Sequence, residues 1–166
     1  MLNSEISESS NLNNLIGAAS HALGDIIEAE KCFRKAIELN PSNSESHNNL
    51  GALLQHQGKI EESVRFFKKA LLINPNYPEA YHNLGTSLSK VGKIDKATEN
   101  YEQALVLKPE YPEALFQIGN AQFQQGKFNE AIESFKKALV IRPDSAEIMN
   151  NMAVALRKKG KFGEAI

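Results

Sequence analysis

Residues 78 to 111 read PEAYHNLGTSLSKVGKIDKATENYEQALVLKPEY, and this stretch decides the fold. Tyr81, Leu84, Gly85 and Leu88 fall at i, i+3, i+4 and i+7, the spacing of one stripe along an α-helix. Ile94, Ala97, Tyr101, Ala104, Leu105 and Leu107 form a second such stripe. Gly92 lies between the two and suits the left-handed turn that closes a helix, a conformation a Cβ disfavours. Pro78 opens the first helix at the one place where its missing N–H costs nothing, and Pro109 prevents the second from continuing. The unit is therefore helix, turn, helix. Gly85 inside the first helix costs roughly 1 kcal/mol relative to Ala, so it implies close approach of a neighbouring helix.

Moving outward from this stretch, the same punctuation recurs. Pro41, Pro75, Pro109 and Pro143 are spaced by 34 residues, as are Pro78 and Pro112. Gly17, Gly51, Gly85 and Gly119 form one glycine series, Gly24, Gly58, Gly92, Gly126 and Gly160 a second, and only Gly163 stands outside. A fixed 34-residue period marks an array of helix-turn-helix repeats. The chain divides into a lead (1–9), four complete repeats (10–43, 44–77, 78–111, 112–145) and an incomplete fifth (146–166). With each repeat numbered from 1, position 20 is Ala29, Ser63, Ala97, Ala131 and Ala165. Position 27 is Ala36, Ala70, Ala104 and Ala138, and position 24 is always a ring, Phe33, Phe67, Tyr101 or Phe135. Small residues let helices approach and the ring fills the space beside them.

This pattern closely resembles the tetratricopeptide repeat (TPR) over residues 10–166, with Tyr81, Leu84, Gly85, Ala97, Tyr101, Ala104 and Pro109 matching every diagnostic position in the third repeat. The departures are Asn13 and Ser20 in the first, degenerate repeat and Ala153 in place of Gly in the last. The resemblance implies an all-α solenoid, a right-handed superhelix of antiparallel helix pairs whose first helices line a concave groove. It also implies a scaffold for protein or peptide binding and no catalytic role.

On a helical wheel, positions 2, 5, 6, 9, 12 and 13 cluster opposite positions 4, 7, 8 and 11, so they are expected on the exposed face of each first helix. Position 6 carries Leu15, Asn49, Asn83, Gln117 and Asn151, and position 5 carries Asn14, Asn48, His82, Phe116 and Asn150. An amide offers both donor and acceptor, so a ladder of amides can hold the backbone of an extended peptide whatever its side chains. The position-6 ladder is similar to the asparagine ladder in the superhelical arm of O-GlcNAc transferases. That resemblance assigns peptide-backbone contacts to Asn49, Asn83 and Asn151, with Gln117 the longer amide and Leu15 outside the pattern. Asn48, His82, Phe116, Asn120 and Phe123 complete the expected peptide-binding set; the two Phe rings serve either as partner anchors or as packing between repeats. If the asparagines serve binding at some cost to helix stability, replacing Asn49, Asn83 and Asn151 by Ala should abolish binding while leaving the melting temperature equal or higher.

Position 2 holds Asn11, Glu45, Glu79, Glu113 and Glu147. Glutamate in a first turn opposes the helix dipole, which accounts for the Pro-Glu-Ala openings; a negative rim attracting a basic peptide is the alternative. Recognition of acidic chaperone tails needs Lys or Arg at positions 2, 5 and 6, and none stands there.

Other chemistry is not expected. Lys+Arg against Asp+Glu is 19 to 20, a balance that argues against generic nucleic-acid binding. The longest apolar run, Met152 to Leu156, is far short of the ~20 residues that span a membrane. The first fourteen residues lack the charge and apolar core of a secretory signal. A single cysteine, Cys32, excludes a disulfide framework within the chain, and a cytoplasmic location is expected. His21, His47, His56 and His82 show no metal-ligand spacing, His47 reads as a core residue, and no set of nucleophile, acid and base emerges, so no metal and no cofactor are expected. Two alternatives to a free-standing scaffold remain open. The chain is the recognition arm of a longer transferase, since the fifth repeat stops inside its second helix, or it self-associates through uncapped ends. Gly163 in that unfinished helix predicts weak order after about Gly160.

Overall fold

The computed structural model describes residues 2–163, with side chains described for residues 5–160. Its helices are α1 (Leu2–Ala22), α2 (Ile26–Leu39), α3 (Ser44–His56), α4 (Ile60–Ile73), α5 (Pro78–Lys90), α6 (Ile94–Leu107), α7 (Pro112–Gln124), α8 (Phe128–Ile141) and α9 (Ala146–Gly163), and there is no strand among the described residues. The lead residues prolong α1, the first helix of the first repeat.

Each helix pair is made by the punctuation read from the sequence. Gly24, Gly58, Gly92 and Gly126 have φ between +76° and +83°, the left-handed conformation that lets the chain reverse after a first helix. Pro78 and Pro112 begin α5 and α7, and each second helix through α8 ends two residues before the position-32 proline. The close approach inferred for the mid-helix glycines is to a ring rather than to helix backbone alone. A Cβ built on Gly85 would lie 2.6 Å from the Tyr101 ring and 3.0 Å from the Ala97 carbonyl oxygen; at Gly119 the nearest atom of Phe135 would be at 2.5 Å. The position-24 ring thus occupies the volume that the glycine vacates, and Phe33, Phe67, Tyr101 and Phe135 are all essentially fully buried. Burying such a side chain contributes on the order of 1.5–3 kcal/mol each, and the rings form the spine of the core.

First helices lie backbone-close to the first helix of the next repeat (α1 with α3, α3 with α5, α5 with α7, α7 with α9), whereas second helices stand further apart, α2 reaching α4 through the long Arg34–Glu62 ion pair at 3.6 Å. The first helices therefore crowd on the inside of the curve, as the resemblance implied.

The last repeat departs from expectation. Gly160 does not turn the chain: α9 runs through it to Gly163, and Gly160 has no positive φ. The weak order expected after about Gly160 covers residues 161–166: the backbone of 161–163 continues α9, and 164–166 lie outside the described residues.

Candidate functional site

The position-6 amides are brought into line on the concave face, but they are not simply solvated. Asn49 Nδ2 donates to Asn14 Oδ1 at 3.0 Å, Asn83 Nδ2 donates to Asn48 Oδ1 at 3.1 Å, and Asn151 Nδ2 donates to Asn120 Oδ1 at 2.9 Å. These three rungs reach back to the preceding repeat. Asn120 Nδ2 in turn points to Gln117 Oε1 at 3.4 Å, so Gln117 joins the ladder through its own repeat. The expectation that alanine at these positions leaves the melting temperature equal or higher is corrected by these bonds, because removing a donor strands a partly buried carbonyl. Each amide nitrogen carries two hydrogens and spends one. The second N–H of Asn49, Asn83 and Asn151 makes no hydrogen bond among the described residues.

Position 5 corrects the helical-wheel reading. Asn14 is 2% exposed, Asn48 6% and Phe116 8%, so these members of the row lie between adjacent first helices and not on an open face, whereas Asn150 in the last repeat is exposed. The wheel treats a helix as isolated, and stacking the next first helix covers one edge of it. Phe116 packs its ring against Phe135 of its own repeat, with centroids 5.8 Å apart, so it lies in the core and not on an exposed face. His82 stacks between Tyr101 and Tyr111, at 5.7 and 5.2 Å; burial lowers its pKa, and its Nε2 has no partner among the described residues. Phe123 is half-buried against Phe128 in an edge-to-face contact at 5.4 Å.

The glutamate rim is partly neutralised. Lys108 Nζ lies 3.2 Å from Glu79 Oε1, and Arg142 pairs with Glu113. Burial raises the Glu113 carboxyl, but its own backbone N–H and Arg142 outweigh that and hold it below the usual carboxylate range. Both cations stand at position 31, where the earlier repeats have Asn40 and Asn74. Glu45 and Glu147 have no such cation among the described residues.

His47 is a core residue as read: its Nε2 donates to the Pro41 carbonyl at 2.9 Å, it is 2% exposed, and burial keeps it neutral by lowering its pKa. Cys32 is buried, and burial together with the Glu28 carboxylate raises its pKa, the reverse of a reactive thiol. His21 and His56 stack at 5.8 Å, and no group of three or more metal-ligating side chains converges among the described residues. No described helix is long and apolar enough to cross a membrane.

Groove residues that sequence reasoning missed lie one layer beneath the ladder. Gln55 Nε2 crosses to the third repeat and donates to Ser87 Oγ at 2.7 Å and to the Asn83 carbonyl at 3.2 Å, while Ser63 and Ser87 share a hydroxyl hydrogen bond at 2.8 Å. The signal was available: Gln at position 12 facing Ser at position 10 of the next repeat, two polar residues that need each other once buried. Between α7 and α9, a cleft of about 120 Å³ is lined by Asn120, Phe123, Phe135, Asn151 and Val154.

Family profiles described as "TPR repeat" match residues 88–126 and 119–160, and profiles described as "Tetratricopeptide repeat" match 12–43, 32–65 and 66–99. No curated protein matches the chain. Among solved structures, the chain is similar to the MamA protein (24% identity, 95% of this chain and 86% of that one, TM-score 0.81). It is also similar to Pseudomonas aeruginosa pilF (22% identity, 95% and 72%, TM-score 0.86). A third likeness is to YrrB, described as a TPR protein with an unusual peptide-binding site (23% identity, 89% and 76%, TM-score 0.74). These likenesses carry the fold, and the profiles together span residues 12–160. The chain belongs to the tetratricopeptide-repeat family.

Proposed function

We propose that this protein is a non-catalytic scaffold that holds an extended protein segment in its concave groove, with Asn49, Asn83 and Asn151 bonding the segment's backbone. Proteins of the family are in general protein-interaction modules, and the YrrB structure bears a peptide-binding site. The observation that carries the reading is the fixed amide ladder: each rung is held by one N–H to the repeat before it, which leaves a second N–H oriented without any rotamer entropy still to be lost. Preorganised donors at repeat spacing suit the carbonyls of an extended chain.

The test uses fluorescein-labelled, acetylated and amidated nonapeptides from a positional-scanning library, with binding read by anisotropy. Asn49→Ala/Asn83→Ala/Asn151→Ala should weaken the selected peptides by tenfold or more, three hydrogen bonds at roughly 0.5–1.5 kcal/mol each, at a temperature where the variant remains folded by circular dichroism. Binding unchanged by the triple substitution overturns the reading.

A second reading has its own observation. At the open end of α1 and α2, Leu12, Leu15, Ile16, Leu23 and Ile27 are exposed, where a preceding repeat would cover them. Self-association through the ends would bury this surface, and Met149 and Leu156 of α9 present a smaller one at the other end, the seat of a second helix if the chain is the recognition arm of a longer transferase. Light scattering separates self-association from the scaffold reading: a monomer independent of concentration excludes it.

A further inference from the structure

The seam between first helices is not uniform, and the difference places a side-chain pocket on the groove floor. Between the second and third repeats, position 12 is Gln55, whose amide spans the seam to Ser87 and closes it. Between the fourth and fifth repeats, position 12 is Phe123, which has no donor, and the residue facing it at position 10 is Ala155, which has no acceptor on its side chain. The Phe123 ring turns back to Phe128 of its own repeat. The rung above is displaced as well. Position 5 is Phe116 instead of an amide, so Asn151 bonds to Asn120 at position 9 and the pair becomes the rim of the opening. What remains is the cleft of about 120 Å³, with Phe135 as floor, Phe123 and Val154 as walls and two amides at its mouth.

The surrounding charge gives the pocket a direction. Arg157 and Lys158 lie three and four residues beyond Val154, on the same face of α9, both exposed and without a carboxylate partner among the described residues. Glu147 lies seven residues before Val154 on that face, at the other end of the groove.

Resting on the groove reading above, we propose that the cleft between α7 and α9 is a specificity pocket for one aliphatic side chain of the bound segment, Val, Leu, Ile or Met, followed by an acidic residue that meets Arg157 and Lys158. Phe123, Phe135 and Val154 make the body of the cleft apolar, so a polar side chain reaching past the two amides loses its hydration without a partner there. Asn151 keeps one N–H and its Oδ1 at the rim for the peptide groups that flank the inserted side chain.

The nonapeptide library should select an aliphatic residue at one position and Asp or Glu within the next three. Val154→Phe, which fills the cleft with the protein's own ring, should weaken the selected peptide about tenfold or more, the value of burying one aliphatic side chain. Arg157→Glu/Lys158→Glu should weaken it by a similar factor at low salt and less at high salt. Val154 is half-buried at the edge of an open cleft and the two cations are exposed, so melting temperatures should stay near that of the parent and serve as the folding control. Affinity within twofold of the parent for Val154→Phe, or for the charge reversal, overturns the pocket while the ladder substitutions still test the groove. A library in which no peptide binds overturns both.

Discussion

The seam between the second and third repeats and the seam between the fourth and fifth occupy equivalent places in the repeat and are built from different chemistry. In the first, Asn48, Asn83, Gln55 and Ser87 form a continuous polar latch, with Asn48 buried and Ser63 completing the network below. In the second, Phe116 and Phe123 stand where Asn48 and Gln55 stood, the rings pack within their own repeat, and a cleft opens. Fold tolerance and binding diversity thus separate by position. Positions 8, 20, 24 and 27 hold the helix pair together and scarcely vary, while positions 5, 9 and 12 set whether a seam is sealed or open.

The largest effect should come from the rings beneath the two seams. Phe67→Ala and Phe135→Ala should each cost about 3–5 kcal/mol, with Phe135 at the lower end because the adjacent cleft already denies it contacts on one side. Urea denaturation checks this, and equal losses would mean that the cleft does not loosen the ring. Next in size is the latch itself. Asn48→Ala should cost about 1–3 kcal/mol, since it leaves the Asn83 amide without its acceptor in a buried seam, whereas Asn120→Ala at the half-exposed seam should cost under about 1 kcal/mol.

A smaller contrast lies at the starts of the second helices. Asp25 caps α2 by accepting from the Glu28 N–H at 3.0 Å, but the equivalent residues Lys59, Lys93 and Lys127 have similar backbone angles and make no side-chain cap bond. Lys127→Asp should therefore stabilise the chain by about 1 kcal/mol, read as a higher melting temperature.

The weakest effect is on pH. Burial lowers the pKa of both His47 and His82, so as pH falls below about 6.5 the unfolded chain takes up protons before the folded one does. Stability is full above that pH and declines beneath it until the folded-state values are reached. The melting temperature should be lower at pH 5.5 than at pH 7.5, and His82→Asn, which places there the residue type of the preceding repeat's Asn48, should reduce that difference.

The repeat boundaries, the turn glycines and the buried rings were legible in the sequence because each is fixed by local stereochemistry or by a period that the whole array shares. Gly92 must turn left-handed whatever surrounds it, and Tyr101 must fill the space that Gly85 leaves. Position 5 was not legible in that way. Asn48 and Phe116 look solvent-facing on an isolated wheel and become buried only when the next first helix lies against them. Gly160 makes the same point in reverse: its sequence, GKFGEAI, repeats the GKFNEAI of residues 126–132, yet α9 runs through it to Gly163 where Gly126 turns the chain. The amide ladder was visible as a row of residue types, but its bonds to the preceding repeat follow from the stacking distance, which composition does not contain.

The central claim is that the concave amide ladder is where a partner's backbone lies. It is tested most directly by titrating the isotope-labelled protein with the selected nonapeptide and following side-chain amide signals by NMR. The side-chain amide signals of Asn49, Asn83, Asn120 and Asn151 should shift together and saturate at one affinity, while the backbone amides of the exposed second-helix residues Lys68, Glu102 and Lys136 stay unmoved. Shifts confined to the second helices or to the ends of the array, with the asparagine amides unchanged at saturation, would contradict it.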